Sequence, residues 1–494
     1  MSKFLYGAAV QGIQNFIFRT NTLKEIIGAS ELVEDICTNL FAKQLGKSLE
    51  DLKNDDNVIV NAAGNIKYIF EKEEECRGVF KEFPKKVLLA APGITISQAV
   101  VRMEDGDKIS GKIQELESKL RCKRNQPLQS METGLMGIQR SRQTGLPERW
   151  HNGLKENQYC DEGTYRKLMA GKSLRLWEKA TGKAEDSKDI SDNVSYFTGN
   201  NDWIAVIHAD GNGLGNVVKE IGENAGQNTD FHEFSFQLDK STCDAAKVAF
   251  EKVLENCSKG EDKPIPFRPV VLGGDDLTVI IRGDLAIDFT KEYLRAFESN
   301  TKENFGGLAK KYSILGNGLT ACAGVAFIKS SFPYYYGYNL AEELCSEAKM
   351  ASKREHSCLM FHKVQDSYVS SYEEIEKREL TTPDNYSFKF GPYFLKDIEG
   401  AESFWCIDRL LDLVVKLNGR NGNALKSDIR QWLSAMMKTG GSAKAAQLLR
   451  RLETVNPDLK TTRTLTSGAL RNNRKVYPAY DVMSLHSICY LKTK

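Results

Sequence analysis

The chain holds eleven cysteines in 494 residues but no Cys-x-x-Cys pair. Scattered cysteines in odd number fit a reducing compartment better than a disulfide framework. No run of about 18 apolar residues occurs, so no membrane-spanning helix is expected. The first ten residues have a short apolar run, without a basic n-region or a small-residue cleavage site after it, so no secretory signal is read there. The expected setting is the cytoplasm, with no membrane partner.

Several catalytic signatures are also missing. There is no Walker lysine motif, no serine nucleophile elbow and no His-Glu-x-x-His helix. Gly211, Gly213 and Gly215 have the wrong spacing for a dinucleotide fingerprint. The formal charge is only +2, so no global field drives the chain onto nucleic acid. One local exception lies between Leu459 and Lys475, where Lys460, Arg463, Arg471, Arg474 and Lys475 occur with no acid. Such a run is either a solvated loop or a contact for phosphate or RNA.

What the chain does have is a 41% hydrophobic content, enough for a large core and about three or four domains. Residues 1–120 read β-α-β-β-α-β: a strand at Phe4–Val10, a helix with Ile26, Ala29, Val33, Ile36 and Leu40 on one face, and a hairpin of Val58–Val60 and Ile66–Phe70. A charged helix from Glu71 and a strand at Gly93–Val101 follow. Residues 201–375 repeat that order. Their strand is Trp203–Ala209, then a helix through Asp244–Val253, the hairpin around Gly273–Asp276, a helix near Asp288–Phe297 and a strand at Leu319–Phe327. A helix over Tyr338–Lys353 and a strand at Cys358–His362 close the unit. The fold class is therefore α/β (α+β), with two ferredoxin-like βαββαβ units. An irregular linking region, 121–200, joins them. An α-helical domain, 376–494, follows, with helices at Phe404–Leu417, Ser427–Met437 and Ser442–Leu452 and with Ser427 and Ser442 as N-caps of the last two.

The chemistry concentrates in the second unit. Two β-rich runs flank Gly273-Gly274-Asp275-Asp276, which sets adjacent carboxylates at a hairpin tip. The glycines allow a tight turn and close approach of a ligand. Asp210 ends the strand Trp203–Ala209 beside the loop Gly211-Asn212-Gly213-Leu-Gly215. The two aspartate sites lie 65 positions apart, yet belong to neighbouring strands of such a sheet. Asp210 and Asp275 are thus expected to share two cations about 4 Å apart, with Asp276 completing a shell. The amides of Gly211 to Gly215 would face phosphates at a helix N-terminus. Lys349 and Lys353, four apart on one helix, share a face within reach of a triphosphate. Either could equally be a surface lysine. His208 is read as a satisfied sheet histidine. Cys122, His151 and Cys160 form at best a degenerate zinc position.

These stretches together resemble the large, polymerase/cyclase-like subunit of type III CRISPR effector complexes, Cmr-type. The resemblance rests on Gln11-Gly-Ile-Gln-Asn-Phe-Ile17, Leu23-Lys-Glu-Ile-Ile-Gly-Ala-Ser30, His208-Ala-Asp-Gly-Asn-Gly-Leu-Gly215 and Leu272-Gly-Gly-Asp-Asp276. Ala323-Gly-Val-Ala326 and the Ala341-Glu-Glu-Leu to Ala348-Lys349 segment add to it. It implies two palm domains, a linking zinc module and a helical C-terminal domain. It also implies an ATP-dependent nucleotidyltransferase that makes a second messenger, usually cyclic oligoadenylate, when target RNA is bound. Asp210, Asp275 and Asp276 would be ligands of Mg²⁺ or Mn²⁺. Lys349 would be a triphosphate contact, and the first palm, with Asn61-Ala-Ala-Gly64 at its hairpin, a silent partner. Implied partners are the other complex subunits, guide RNA, target RNA and ATP. The chain departs from the family in lacking the cysteine pairs of the zinc module and any His-Asp dipeptide, so it reads as a short form without the HD nuclease domain. Some similar short forms join AMP to S-adenosylmethionine. Competing readings are a diguanylate cyclase, in which Asp276 and Leu277 stand where Glu-Phe is usual, an RNA polymerase with a Gly-Asp-Asp turn, and an idle scaffold that binds guide RNA and partners.

Overall fold

The computed structural model describes residues 2–62, 64–126, 137–152, 159–183, 198, 203–224, 229–255, 264–367, 371–399, 403–417, 422–455, 459–471 and 473–489. Much of the linking region expected over 121–200 lies outside these residues. The first sheet comprises β1 (Lys3–Gln11), β2 (Val58–Ala62), β3 (Asn65–Phe70) and β4 (Thr95–Met103). Their order is β2-β3-β1-β4, every neighbouring pair antiparallel. Helices Leu23–Asp35 and Glu73–Ala90 make the two crossovers.

A short antiparallel pair, β5 (Arg149–Trp150) and β6 (Tyr159–Cys160), follows. After it come helices Glu162–Ala170 and Arg175–Thr181, in a stretch expected to be irregular. The first has a local start, Asp161 accepting from Thr164 N–H at 3.0 Å, whereas the cause of the second is tertiary: Leu176, Trp177 and Ala180 are buried, and the Trp177 ring meets Phe250 and Phe267 edge-on at 5.7 and 6.2 Å.

The second sheet holds β7 (Trp203–Gly211), β8 (Phe267–Gly273), β9 (Asp276–Arg282), β10 (Ala321–Lys329), β11 (Cys358–Lys363) and β12 (Tyr393–Phe394). The order is β12-β11-β10-β7-β9-β8. Within it, β10-β7-β9-β8 repeats the β4-β1-β3-β2 order of the first sheet, so the ferredoxin-like arrangement occurs twice. The addition is β11, parallel to β10, with β12 antiparallel beyond it. Because β12 lies past residue 375, the sheet draws on chain that the sequence reading placed in the helical domain.

The C-terminal helices are Ile407–Leu417, Gly422–Met436, Gly441–Val455, Leu459–Thr466 and Ala479–Cys489, with a hairpin of β13 (Ala469–Arg471) and β14 (Arg474–Val476). Two expected caps are corrected here. Ser427 is an interior residue of its helix. Ser442 lies in the first turn of the next, where its own N–H donates to Asp384 Oδ2 at 3.0 Å while Gly440 N–H donates to Oδ1 at 3.1 Å. A carboxylate remote in sequence therefore caps this helix, as anions do at helix N-termini.

The core positions the site. β7 is flanked on both edges, so Ile204 to Ala209 are buried and β-branched residues suit both faces. Helix Tyr334–Ala351 packs on β7 and β10. It approaches so closely that a Cβ on Gly324 would lie 1.9 Å from the Ala341 carbonyl oxygen and 2.6 Å from the Cys345 nitrogen. The glycine of the Ala323–Ala326 motif is thus a packing requirement, set by backbone rather than by a movable side chain. Gly324→Ala is expected to lower unfolding stability by about 2–3 kcal/mol, because an overpacked site must displace the helix. Urea denaturation would measure this, and an unchanged midpoint would contradict it.

Candidate active site

β7 and β9 run antiparallel with Ala209 opposite Leu277. Continued by one residue, that register sets Asp210 beside Asp276. β8 and β9 pair Gly273 with Asp276, leaving Gly274-Asp275 as a two-residue turn. Gly274 takes the left-handed conformation, φ 62°. The three aspartates offer ligand oxygens that all lie within 4.8 Å of one another.

The turn is braced from outside its own strands. Gly274 N–H donates to Asp239 Oδ1 at 3.0 Å, and Thr242 Oγ1 donates to the Gly274 carbonyl at 2.6 Å. Lys179 Nζ reaches Asp239 at 3.1 Å, the Leu272 carbonyl at 3.0 Å and Glu34 at 3.3 Å. One ammonium so ties the first unit, the linking region and the hairpin together. Sequence reasoning missed Lys179 and Asp239, and no local signal marks them. The lysine lies 60, 93 and 145 positions from its partners.

The electrostatics follow from crowding. Burial pushes Asp210 up, but the hydrogen bond with Asp275 and the Lys349 charge outweigh it and hold Asp210 below the ordinary carboxylate range. Asp275 is pushed up to about 9 by burial, by its hydrogen bond with Asp210 and by the charges of Asp276 and Asp210. Asp276 rises to about 7, through burial and the Asp210 charge, against the pull of Lys349. The site on its own therefore holds a proton at neutral pH. Such a cluster of hard oxygen donors fits a divalent cation such as Mg²⁺ or Mn²⁺, which would replace that proton.

Lys349 Nζ makes an ion pair with Asp210 and donates to the Gly211 carbonyl at 2.8 Å. Gly211 admits no side chain without crowding, since a Cβ would lie 3.1 Å from Asp275 Cβ. Gly213 is left-handed, φ 73°, and helix Leu214–Asn224 begins directly after it. The helix's hydrogen bonding opens with Asn216 N–H donating to the Gly213 carbonyl at 2.9 Å, so the amides of Leu214 and Gly215 precede it at the N-terminus.

Asn212 does not join the phosphate-facing loop. Its N–H donates to the Thr320 carbonyl at 2.8 Å, and its buried side chain donates to Thr320 Oγ1 and Cys322 Sγ. Lys353 does not share a face with Lys349 either. The helix ends at Ala351, and Lys353 is exposed with φ 55°. His208 is buried with Nδ1 3.1 Å from Thr278 Oγ1, and burial lowers it to about 4, as a sheet histidine. His151 Nε2 lies 3.2 Å from the Cys160 carbonyl, while Cys122 is exposed on another helix, Ile109–Arg124.

A cavity of about 130 Å³ lies beside Asp276, walled by Ile13, Gln14 and Phe18 of the first unit and by His208 and Tyr338 of the second. Gln14 Nε2 donates to Tyr338 Oη at 2.9 Å, and Phe18 stacks on Tyr338 at 4.6 Å. The first unit thus forms one wall of the cleft.

A raised carboxyl pKa makes the native state bind more protons than the unfolded chain, so its stability falls as pH rises through that window. For Asp275 the window runs from its ordinary 3.8 to about 9. In EDTA, Asp275→Asn is therefore expected to raise Tm relative to the unsubstituted protein near neutral pH, and to flatten the decline towards high pH. Added Mg²⁺ should stabilise only the unsubstituted protein. Parallel thermal scans at several pH values test this, and identical curves for both proteins would refute it.

Residues 203–358 match the family described as Cas10/Cmr2, second palm domain. No curated protein sequence matches the chain. Among solved structures, the chain resembles a Csm1–Csm4 cassette in complex with cA3, with TM-score 0.55 and 12% identity over 100% of this chain and 70% of that one. It resembles a Csm1–Csm4 cassette in complex with cA4 at TM-score 0.53 and 13% identity, again over 100% and 70%. A Csm1–Csm4 subcomplex in the type III-A CRISPR-Csm interference complex gives TM-score 0.51 and 14% identity over the same shares. Likeness at such identities is a likeness of fold. Residues 203–358 are thus similar to the second palm domain of the Cas10/Cmr2 family, and the chain shares the fold of Csm1 from type III CRISPR complexes.

Proposed function

We propose that the protein is an ATP-dependent nucleotidyltransferase that makes a second messenger, cyclic oligoadenylate, within a type III CRISPR complex in the cytoplasm. The observation that carries this reading is the meeting of Asp210, Asp275 and Asp276 within 4.8 Å on a palm-type sheet. Solved Csm1–Csm4 cassettes in complex with AMPPNP (TM-score 0.50, 13% identity) and with pppApA (TM-score 0.52, 14% identity) support the substrate class. Other complex subunits, guide RNA and target RNA are the partners that this setting supplies.

In the reaction a hydroxyl oxygen would form a bond to the α-phosphorus of ATP, its proton passing to water, while the bond from that phosphorus to the α–β bridging oxygen breaks and pyrophosphate leaves. Asp210, Asp275 and Asp276 would hold two divalent cations. Such ions, when bound, lower the pKa of the attacking hydroxyl and stabilise the charge on the leaving group. With a cation held by Asp210, Lys349 would no longer be needed as its counter-charge, and its ammonium would be available to the triphosphate. The amides of Gly213 to Gly215, at a helix N-terminus, face the same phosphates. Gly273 and Gly274 keep the hairpin tip low enough for the nucleotide to approach. The first palm, without carboxylates at Asn61–Gly64, acts as a silent wall.

Incubating the assembled complex with labelled ATP, Mg²⁺ and target RNA should release pyrophosphate, with products identified by mass spectrometry in the presence and absence of S-adenosylmethionine. Asp275→Ala with Asp276→Ala is expected to cut the rate by at least about 10³-fold, the scale of losing the metal's electrostatic stabilisation. Undiminished product from that double variant would overturn the mechanism, and preference for GTP would favour a diguanylate cyclase.

A further inference from the structure

The hairpin turn that carries Asp275 is soft on its own. Gly273 pairs with Asp276, so Gly274 and Asp275 lie outside the ladder and gain no partner from strand pairing. Gly274 has φ 62° while Asp275 has no positive φ, the glycine-first pattern of a II′ turn. Two consecutive glycines leave this backbone free to swing. Repulsion among Asp210, Asp275 and Asp276 favours such a swing, because parting the carboxylates relieves it. The tip needs a hold from outside the two strands.

One face of helix Thr229–Leu254 provides it. Asp239 and Thr242 stand three apart there, side by side. Asp239 Oδ1 accepts from Gly274 N–H at 3.0 Å, and Thr242 Oγ1 donates to the Gly274 carbonyl at 2.6 Å. One helix thus holds both backbone polar groups of the residue directly before Asp275. Fixing that residue aims the Asp275 side chain, which lies beside Gly211 at the end of β7.

Asp239 also brings a fourth carboxylate close to the cluster, and its charge must be answered. Lys179 answers it. The ammonium donates to the same Asp239 Oδ1 at 3.1 Å and to the Leu272 carbonyl at 3.0 Å, on the strand that enters the turn. The lysine belongs to helix Arg175–Thr181, anchored by the buried Leu176, Trp177 and Ala180. Support for the carboxylates therefore comes from a helix outside both sheets. Lys179, Asp239 and Thr242 are not among the three converging ligands, so their action on an ion is indirect.

We propose that Lys179, Asp239 and Thr242 are positioning residues that set the divalent-cation affinity of the Asp210, Asp275 and Asp276 site. This role rests on the cation-site reading of those carboxylates and is independent of the transfer step. It also makes full affinity conditional on the linking helix being docked. Groups that orient metal ligands typically change affinity by about 10–100-fold when removed.

Mn²⁺ titration of the full chain, with free ion counted by electron paramagnetic resonance, tests this without turnover. Lys179→Met and Thr242→Val are each expected to weaken Mn²⁺ binding about tenfold or more. Lys179→Arg keeps the cation and Thr242→Ser the hydroxyl, so both should recover most of the affinity. Asp244→Asn removes an ion pair with Lys247 on the same helix and should leave affinity unchanged. A merely structural loss would lower Tm without moving the affinity of the folded protein. In EDTA, exchange of the Gly274 amide should quicken about tenfold in Lys179→Met, the scale of one lost hydrogen bond to a charged group. Unchanged affinity in Lys179→Met and Thr242→Val, or unchanged exchange, would overturn the proposal and leave the cation site standing. Equal weakening by Lys179→Arg and Thr242→Ser would overturn it too, marking the effect as lost packing. If the unsubstituted protein bound no Mn²⁺ through Asp275 and Asp276, the cation-site reading would fall and the proposal with it.

Discussion

Three carboxylates confined within 4.8 Å cannot all be charged without a counter-charge, and much of the second palm can be read as the consequence. Lys349 is held against Asp210 and the Gly211 carbonyl, so the helix that carries it must lie hard on β7 and β10. That contact is what forbids a side chain at Gly324. The residual repulsion is relieved by a proton on Asp275, pushed up to about 9. A cation supplies a better relief, and the same crowding that costs stability without metal favours binding it.

A hairpin tip carrying such charge needs bracing, and the bracing comes from elsewhere in the chain. Lys179 joins Glu34 to Asp239 and to the Leu272 carbonyl, so a helix of the linking region acts as a rivet between the two units. Gln14 and Phe18 meet Tyr338 on the other side of the cleft. The geometry of the site is therefore a property of both units, although every acid belongs to one.

How much of this was legible in the sequence depends on how local the cause is. The strand ending in Asp210 and the Gly-Gly-Asp-Asp turn are local signals, and the sheet order follows once both are placed in a βαββαβ unit. Helix ends are different. Ser442 looked like a cap, but Asp384 is the cap, held there by tertiary packing. Lys353 looked like a partner of Lys349, but the backbone turns left-handed two residues past the helix end. Asn212, read as part of a phosphate loop, instead continues the sheet through Thr320. Helix Arg175–Thr181 was invisible because it is short, and only its burial of Leu176, Trp177 and Ala180 against the second unit makes it stable.

The two sheets share one strand order, so strand order alone does not explain why charge collects in only one. The difference lies in what fills the space beside the hairpin. In the first unit a Cβ on Gly64 would lie 2.5 Å from Ile13 Cδ1, so hydrocarbon occupies the ground under that turn. In the second, the corresponding space beside Gly211 is taken by the Asp275 side chain. An apolar plug cannot solvate a cation or a phosphate, whereas it can present a firm surface to a neighbour. Ile13 does this, since it also lines the cleft that reaches Asp276. Filling the first site with a side chain thus removes one potential ion site and gives the remaining one a wall.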